Sequence, residues 1–233
     1  MGRKFRGGRK GRGRDSKRGE ESPIANWVPR TQLGKRVLAG EVKSLDEILD
    51  SGNHVFEPEI VDYLLPDLED EVLNISSTQR MTACGRKMLM RAIVILGDRR
   101  GHIAMGAGKA PETRDAIAEA IKDAKKNMVR VRLGCGSWEC GCGGQHSVAL
   151  RATGKSANTQ ITIRPAPRGV GIVSGAVTRK VLQMAGVRDA WTTAKGRTRN
   201  VVNVVAATIA ALESLNKLKK GKFAETETVL EHG

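Results

Sequence analysis

The chain has 233 residues and a formal net charge of +15, so its default partner is a polyanion, nucleic acid before a membrane surface. Aromatic residues make up only 3% of the chain, which argues against base stacking as the main binding mode and favours contacts to phosphate and RNA shape. No run of about twenty apolar residues occurs, and no apolar segment follows the basic N-terminus. We therefore expect neither a membrane-spanning nor a secreted protein.

Residues 1–22 are predicted to be a disordered basic arm, because glycines are interleaved with cations and no apolar set is present. We expect the arm to order on RNA by neutralising phosphates through Arg3, Arg6, Arg9 and Arg12. A merely solubilising tail is the alternative. Residues 23–71 then form an N-terminal extension, beginning with an extended piece around Trp27 that anchors either on a neighbouring protein or on its own domain.

Residues 41–71 are strongly acidic and are predicted to hold two short helices. A capping box at 44–47 opens the first helix, which stops at Gly52. The second begins at 57–59 and ends before Pro66, with a buried face made of Ile60, Leu64 and Leu65. We expect this acidic patch to face away from RNA, either touching a basic neighbouring protein or lying as a solvated face.

Residues 72–133 are predicted to be a first domain, a three-stranded antiparallel sheet with one helix across it, followed by a last strand. The second strand, 88–96, alternates so that it is polar on one face at its start and buried on both faces further along. The other predicted elements are a strand at 72–82, turns at 82–87 and 97–101, a strand at 102–106, a helix from Pro111 and the last strand at 129–133. The apolar face of that helix is expected to consist of Ala116, Ile117, Ala120, Ile121 and Ala124.

The link at 106–110 is rich in glycine and is predicted to be a turn between strand and helix. It is not a P-loop, because Ile103 and Ala110 stand where that motif needs glycine and Ser or Thr. Free backbone N–H groups, Lys109 and a helix N-terminus could bind any phosphate. A tight turn without a ligand is the alternative.

Residues 134–146 form a cysteine-rich interdomain loop. Four cysteines in a chain of cytosolic character suggest metal or free thiols rather than disulfides. Cys135, Cys140, Cys142 and His146 would supply a Cys₃His set for a structural Zn²⁺, with gaps of four, one and three residues, and Cys84 is a substitute ligand. The alternatives are a metal-free loop with His146 on RNA, or a catalytic thiol, for which no Cys–His–Asp/Asn arrangement is evident.

Residues 147–218 are predicted to be a second domain in β-β-α-β-α order, followed by a disordered tail at 219–233. Strands at 147–153 and 159–164 surround a turn, and a stiff loop then presents Arg164 and Arg168. The remaining elements are a helix at 175–184 ended by Gly186, a short strand at 189–194, a basic loop whose Lys195, Arg197 and Arg199 suit phosphates, and a helix at 200–218.

Two ordered motifs carry a resemblance to a known family. The first comprises Gly85-Arg86-Lys87, Ala92, Gly97-Asp98, Gly101 and Gly106-Ala107-Gly108-Lys109-Ala110, and the second comprises the runs 164–173 and 184–187. They resemble the two domains of the universal small-subunit ribosomal protein five family, archaeal branch, over roughly 73–218. Met90 replaces a frequent aromatic of the family and Ala104 replaces a glycine.

The resemblance implies an α+β fold of two domains, the first like a double-stranded-RNA-binding domain and the second with a left-handed crossover. It implies a non-enzymatic constituent of the small ribosomal subunit in the cytoplasm, without a small-molecule substrate or a membrane. Its expected partners are small-subunit ribosomal RNA, ribosomal proteins four and eight, and the messenger entry path near the decoding region, where 82–87 would support translational accuracy. RNA-binding residues of the first domain are expected to be Arg80, Arg86, Lys87, Arg99, Arg100 and Lys109.

Two rival functions come from other classes of protein. A zinc-dependent RNA-processing enzyme would need an open coordination position and a general base, for which Glu139 is the only candidate within the cluster. A free RNA chaperone would not sediment with small subunits.

Overall fold

The structure, a computed structural model, describes residues 27–217. The predictions for 1–22, including Arg3, Arg6, Arg9 and Arg12, and for the tail at 219–233 lie outside the described residues. None of the helices within 27–217 is long and apolar enough to cross a membrane.

The first sheet has four antiparallel strands in the order β1-β2-β3-β4, one more than predicted for the sheet itself. Its strands are β1 (Glu69–Thr82), β2 (Gly85–Gly97), β3 (His102–Ala110) and β4 (Met128–Arg130), and α4 (Thr113–Lys126) crosses one face. Of the predicted apolar face of α4, Ala116, Ala120 and Ala124 are buried, and Ile117 and Ile121 are partly buried against the same core. The helix begins two residues after Pro111, because Glu112 in extended conformation is its N-cap.

Burial of β2 on both faces is confirmed, and the reason is that each face of the sheet belongs to a different core. Ala92, Val94 and Leu96 pack with α4 and with the N-terminal extension. Ile95 and Ile103 lie on the opposite face, in a cluster formed mainly by the second half of the chain. The first sheet therefore lies between two hydrophobic layers, and β2 runs through the middle.

The prediction of a glycine-rich turn at 106–110 was wrong. These residues are the end of β3, paired with β2 from Val94↔Gly106 to Met90↔Ala110. A Cβ added to Gly106 would overlap the carbonyl oxygen of Ala120, and one on Gly108 would overlap that of Ala116. The glycines are thus required for the close approach of α4 to the strand, and the Ala107 N–H donates to Asp123 of α4 at 3.0 Å.

Two predicted strands are each divided in the structure. The strand expected at 129–133 ends as β4 at Arg130, and Leu133–Gly134 becomes β5, which pairs with β6 (Ser147–Val148) in a separate two-stranded sheet. The strand expected at 147–153 is likewise split between β6 and the strand that begins at Ala152. Both divisions were missed because the alternation of apolar residues along a segment does not show where the segment changes from one partner strand to another.

The second half of the chain has the predicted β-β-α-β-α order with one additional short strand. The sheet order is β7-β8-β10-β9, and β9 and β10 are parallel neighbours joined through α5. The elements are β7 (Ala152–Ser156), β8 (Thr159–Pro165), β9 (Ile172–Val173), α5 (Ala176–Met184), β10 (Ala190–Gly196) and α6 (Val201–Ser214), which ends in a 3₁₀ turn at Leu215–Lys217. Gly186, at φ +88°, follows α5 as predicted, and a Cβ there would overlap the carbonyl of Arg99.

The N-terminal extension folds onto the first sheet with three helices, of which only two were predicted. They are α1 (Gln32–Leu38), α2 (Leu45–Asp50) and α3 (Pro58–Leu64). The unpredicted α1 has a recognisable signal, because the Thr31 hydroxyl caps it by accepting the Gly34 N–H at 3.1 Å. The capping box predicted at Ser44 is not formed, since its side chain makes no capping hydrogen bond, although Ser44 is the N-cap of α2.

Several carboxylates of the acidic segment bind cations of the same chain, although Asp50, Asp67 and Glu69 are also half or more exposed. A solvated face and a contact with a basic neighbouring protein therefore both stay predictions. The ion pairs are Asp46 and Asp50 with Arg130, Asp62 with Lys125, Asp67 with Arg100, Glu69 with Arg99, and Glu71 with Lys180. Trp27 also anchors on its own chain, donating its indole N–H to Glu57 at 3.1 Å.

Candidate metal centre and nucleic-acid interface

The cysteine-rich loop is closed by the short β5–β6 pair. Gly134 pairs with Ser147, so Cys135 and His146, the next residues outward, emerge side by side at the ends of the loop. Cys140 and Cys142 return from the loop between them. The four ligand atoms all lie within 4.8 Å of one another, and Cys140 Sγ is 3.8 Å from His146 Nε2. Ligand atoms of a tetrahedral zinc site are about 3.5–3.8 Å apart, so the set needs little adjustment.

The orientation of His146 is determined by Asp189. His146 is buried, and its Nδ1 lies 2.8 Å from Asp189 Oδ2. A carboxylate accepts, so the Nδ1 N–H donates to Asp189, and Nε2, which faces Cys140 Sγ, is the nitrogen placed to bind a metal. Asp189 Oδ1 accepts the N–H groups of Gly169 and Gly171 at 3.1 and 2.8 Å. This is the outer-shell arrangement that orients histidine ligands in metal sites.

The thiols of the cluster differ in acidity. Backbone hydrogen bonding from Arg168, together with hydrogen bonds from Cys142 and His146, lowers the pKa of Cys140 to about 6. Burial, together with hydrogen bonding to Cys142 and Cys140, raises the pKa of Cys135. Because metals bind the thiolate, Cys140 is the thiol best prepared to be a ligand.

The cluster offers four protein ligands, which is the number that closes a structural site. Cys84, the predicted substitute ligand, lies exposed in the turn between β1 and β2 and is not a member of the cluster. The exposed Glu139 lies in the loop between two of the ligands.

The predicted RNA-binding cations of the first domain do not form one cluster. Arg80, Arg86 and Lys87 lie at the exposed tip of the β1–β2 hairpin, whereas Arg99 and Arg100 lie in the β2–β3 turn at the other end of β2. At about 3.3 Å per residue these ends are roughly 40 Å apart.

The cations of the β2–β3 turn have partners within the chain. Arg99 pairs with Glu69 at 2.6 Å, Arg100 reaches Asp67 at 3.7 Å, and the Arg99 N–H donates to Met184 at 3.0 Å. Lys109 is exposed on β3, not in a loop.

In the second half of the chain, the predicted cations are exposed and fall at two places. Arg164 and Arg168 flank the loop after β8, and Arg168 borders a cavity of about 530 Å³ that Cys142 and His146 of the candidate metal centre also line. Arg188 lines the same cavity and was not predicted, because a lone arginine after a helix carries no local signal.

Lys195 lies near the end of β10, and the two arginines that follow it share a second cavity. Arg197 and Arg199 border a space of about 500 Å³ with Asn158 of the β7–β8 turn, with Asn200, the N-cap of α6, and with Asn203 of α6. The predicted basic loop therefore lies against the first turn of the last helix.

Comparison with known proteins gives matches over both halves of the chain. The family model described as ribosomal protein S5, N-terminal domain, matches residues 68–132, and the one described as ribosomal protein S5, C-terminal domain, matches 154–226.

Similar proteins named small ribosomal subunit protein uS5 occur in three methanogens. The Methanoregula boonei protein is 50% identical over 85% of this chain and 97% of its own length. The Methanospirillum hungatei protein is 51% identical over 84% of this chain and 96% of its own length. The Methanocaldococcus jannaschii protein is 49% identical over 83% of this chain and 89% of its own length. With both domains matched in order and half of the residues identical along nearly the whole of these relatives, the chain belongs to the ribosomal protein S5 family.

Proposed function

We propose that the chain is a structural constituent of the small ribosomal subunit that binds ribosomal RNA. Beyond membership of the family, the proposal rests on how acidic and basic residues are distributed over the chain. The acidic residues of the extension bind cations of their own chain, whereas the cations at the hairpin tip, at 164–168 and at 195–199 are exposed. Exposed cations on rigid strands and turns neutralise closely spaced phosphates without reorganising.

The two units at 72–133 and 147–218 would brace folded RNA from fixed positions. We place residues 82–87 near the decoding region and the messenger entry path, where they would support translational accuracy. Support comes from the length of the hairpin, because β1 and β2 continue to Thr82↔Gly85 after β3 has ended at the level of Met90. Neighbouring small-subunit proteins four and eight are the proposed protein partners.

Sedimentation and salt dependence test this proposal together. In lysate the chain should run with small ribosomal subunits, and the purified chain should bind small-subunit ribosomal RNA with an affinity that falls steeply with salt, because each phosphate contact releases counterions. A flat salt response would refute phosphate bracing, and absence from the subunit fraction would favour a free RNA chaperone.

We further propose that the Cys₃His cluster holds a structural Zn²⁺. Support comes from the soft ligand set, from the spacing of the four ligand atoms and from the carboxylate that orients His146. The site would link the β5–β6 pair to the loop after β8, since Asp189 contacts both His146 and that loop.

Zinc content and a free-thiol count on the purified chain test the metal. One zinc per chain, with Cys135, Cys140 and Cys142 protected until a chelator is added, is the expected result. No zinc and four reactive thiols would make 135–146 a plain loop and leave the ribosomal assignment standing.

We propose no enzymatic activity, because four protein ligands would leave a zinc ion no open position for an activated water. If Glu139→Gln abolished an RNA cleavage or deamination activity of the purified chain, the structural interpretation would fail.

A further inference from the structure

The hairpin of β1 and β2 has two chemically different faces. Counting from the observed pairing, Lys87, Leu89 and Arg91 of β2 share one face with Ser76, Thr78 and Arg80 of β1. Arg86, Met88 and Met90 share the other face with Gln79 and Met81. Met81 and Met88 are 73% and 57% exposed, so this second face carries two exposed methionines and Arg86 as its single cation.

Like charges lie directly opposite one another on the first face. Arg80 pairs with Lys87 across β1 and β2, and Arg91 pairs with Lys109 across β2 and β3. Within 27–217 none of the four forms an ion pair with an acidic side chain, and the sequence has no Asp or Glu between Glu71 and Asp98. Like charges directly opposite each other destabilise a sheet, so these two pairs of cations lower the stability of the chain when no RNA is bound.

Arg91 shows the strongest sign of a missing partner. Its Nε atom is buried and has no hydrogen-bond partner among the described residues, and the side chain as a whole is half-buried. A buried guanidinium N–H without an acceptor is costly, and arginine is the cation whose fork suits a phosphate. Arg91 was not among the predicted RNA-binding residues, because a charged residue within a strand fits the usual alternation of polar and apolar side chains.

We propose that Arg80, Lys87, Arg91 and Lys109 form one track for a phosphate backbone of ribosomal RNA, with Arg91 and Lys109 sharing one phosphate position. The proposal rests on the RNA-binding function proposed above. Lys87 and Arg91 are four residues apart on β2, which is about 13 Å, so the two like-charged pairs contact separate phosphates along the strand. Arg86 is not part of the track, since it lies on the opposite face of the hairpin.

Hydroxyl-radical footprinting of the full chain on small-subunit ribosomal RNA tests the track. Arg91→Gln and Lys109→Gln should expose the same short stretch of backbone. Because the two cations share one phosphate position, the double variant should lower the slope of log affinity against log salt by about 0.7–0.9, and each single variant by less. Lys122→Gln, which removes an exposed cation of α4 outside the track, is the matched control and should leave that stretch protected. If Lys122→Gln exposes the same stretch, or if Arg91→Gln exposes none, the track is wrong.

Thermal unfolding separates a ligand-binding role from a structural one. Because Arg91→Gln and Lys109→Gln each remove one member of a like-charged pair, the free variants should unfold at the same temperature as the wild type or higher. Marked destabilisation would overturn the proposal, since it would mean that these cations hold the fold. If the wild-type chain protects no small-subunit RNA, the proposed function itself fails, which is a different outcome from a selective failure of the variants.

Discussion

His146 and Asp189 are 43 positions apart in the chain, and their side chains meet at 2.8 Å beside three cysteines. The contact ties the cysteine-rich loop to the second half of the chain, because the other Asp189 oxygen binds the loop after β8. The orientation of His146 in the candidate Cys₃His set therefore depends on a carboxylate outside that set.

Asp189→Asn should weaken zinc binding about 10- to 100-fold, the usual effect of removing an outer-shell partner of a histidine ligand. The amide retains an oxygen for the Gly169 and Gly171 N–H groups, so the loop should stay in place. Competition with a chromophoric chelator measures the affinity. Asp115→Asn, on the exposed face of α4, is the control. Equal zinc affinity in the wild type and Asp189→Asn would show that Asp189 has no role at the metal.

The stability of the chain should depend on pH through His102. Its Nδ1 lies 2.5 Å from Asp98 and its Nε2 3.0 Å from Asp46 of α2, and Arg130 also contacts Asp46. Hydrogen bonding to Asp98, opposed by partial burial and helped by Asp46, raises the pKa of His102. Partial burial alone would raise the pKa of Asp98, but hydrogen bonds from His102 and from the His102 and Arg100 amides hold it below its ordinary value.

The two shifts define a pH window. The contribution of His102 is complete below its ordinary pKa of 6.5 and is lost as the pH rises through the higher folded value. The contribution of Asp98 is complete above its ordinary pKa of 3.8 and is lost as the pH falls through the lower folded value. Urea unfolding should therefore show the largest difference between wild type and His102→Gln between these ordinary values. The exposed His54→Gln is the control, and a difference that does not change with pH would contradict the prediction.

Gly106→Ala should destabilise the chain by about 1–3 kcal/mol or more, because a methyl group there would overlap the backbone of α4 at Ala120. Urea unfolding measures the change. Gly141→Ala is the control, since nothing lies within 4 Å of a Cβ added to Gly141. Unchanged stability combined with loss of RNA binding would restore the phosphate-loop interpretation that the strand pairing contradicts.

Glu57→Ala should release the beginning of the extension. Glu57 Oε1 accepts the N–H groups of Arg30 and Thr31 at 2.8 and 2.6 Å, and Oε2 accepts from Trp27. A hydrogen bond to a charged group contributes about 1.5–3 kcal/mol, so local opening should become roughly ten-fold more frequent or more. Limited trypsin digestion followed by mass spectrometry reports the cut after Arg30. Glu59→Ala on the same helix is the control, and equal cleavage rates in Glu57→Ala and wild type would refute this anchoring role.

Much of the fold was predictable because it follows from patterns within short stretches of the sequence. Alternation in β2, the small residues on the buried face of α4 and the glycine after α5 each follow from one stretch of chain. The ligands of the candidate metal centre were also predictable, since soft side chains are rare and the four lie within twelve positions. The misread segment at 106–110 shows the limit, because glycine serves equally well for a turn and for the close approach of a helix.

The sequence by itself determined the two-domain family, the order of most elements, the excess of cations and the four candidate ligands. Only the tertiary structure decided that Asp189 orients His146, that the acidic extension binds its own chain, and that Arg91 stands opposite Lys109. The physical reason is that patterns of composition and period act between neighbours in the chain, whereas strand register and ion pairing join residues tens of positions apart.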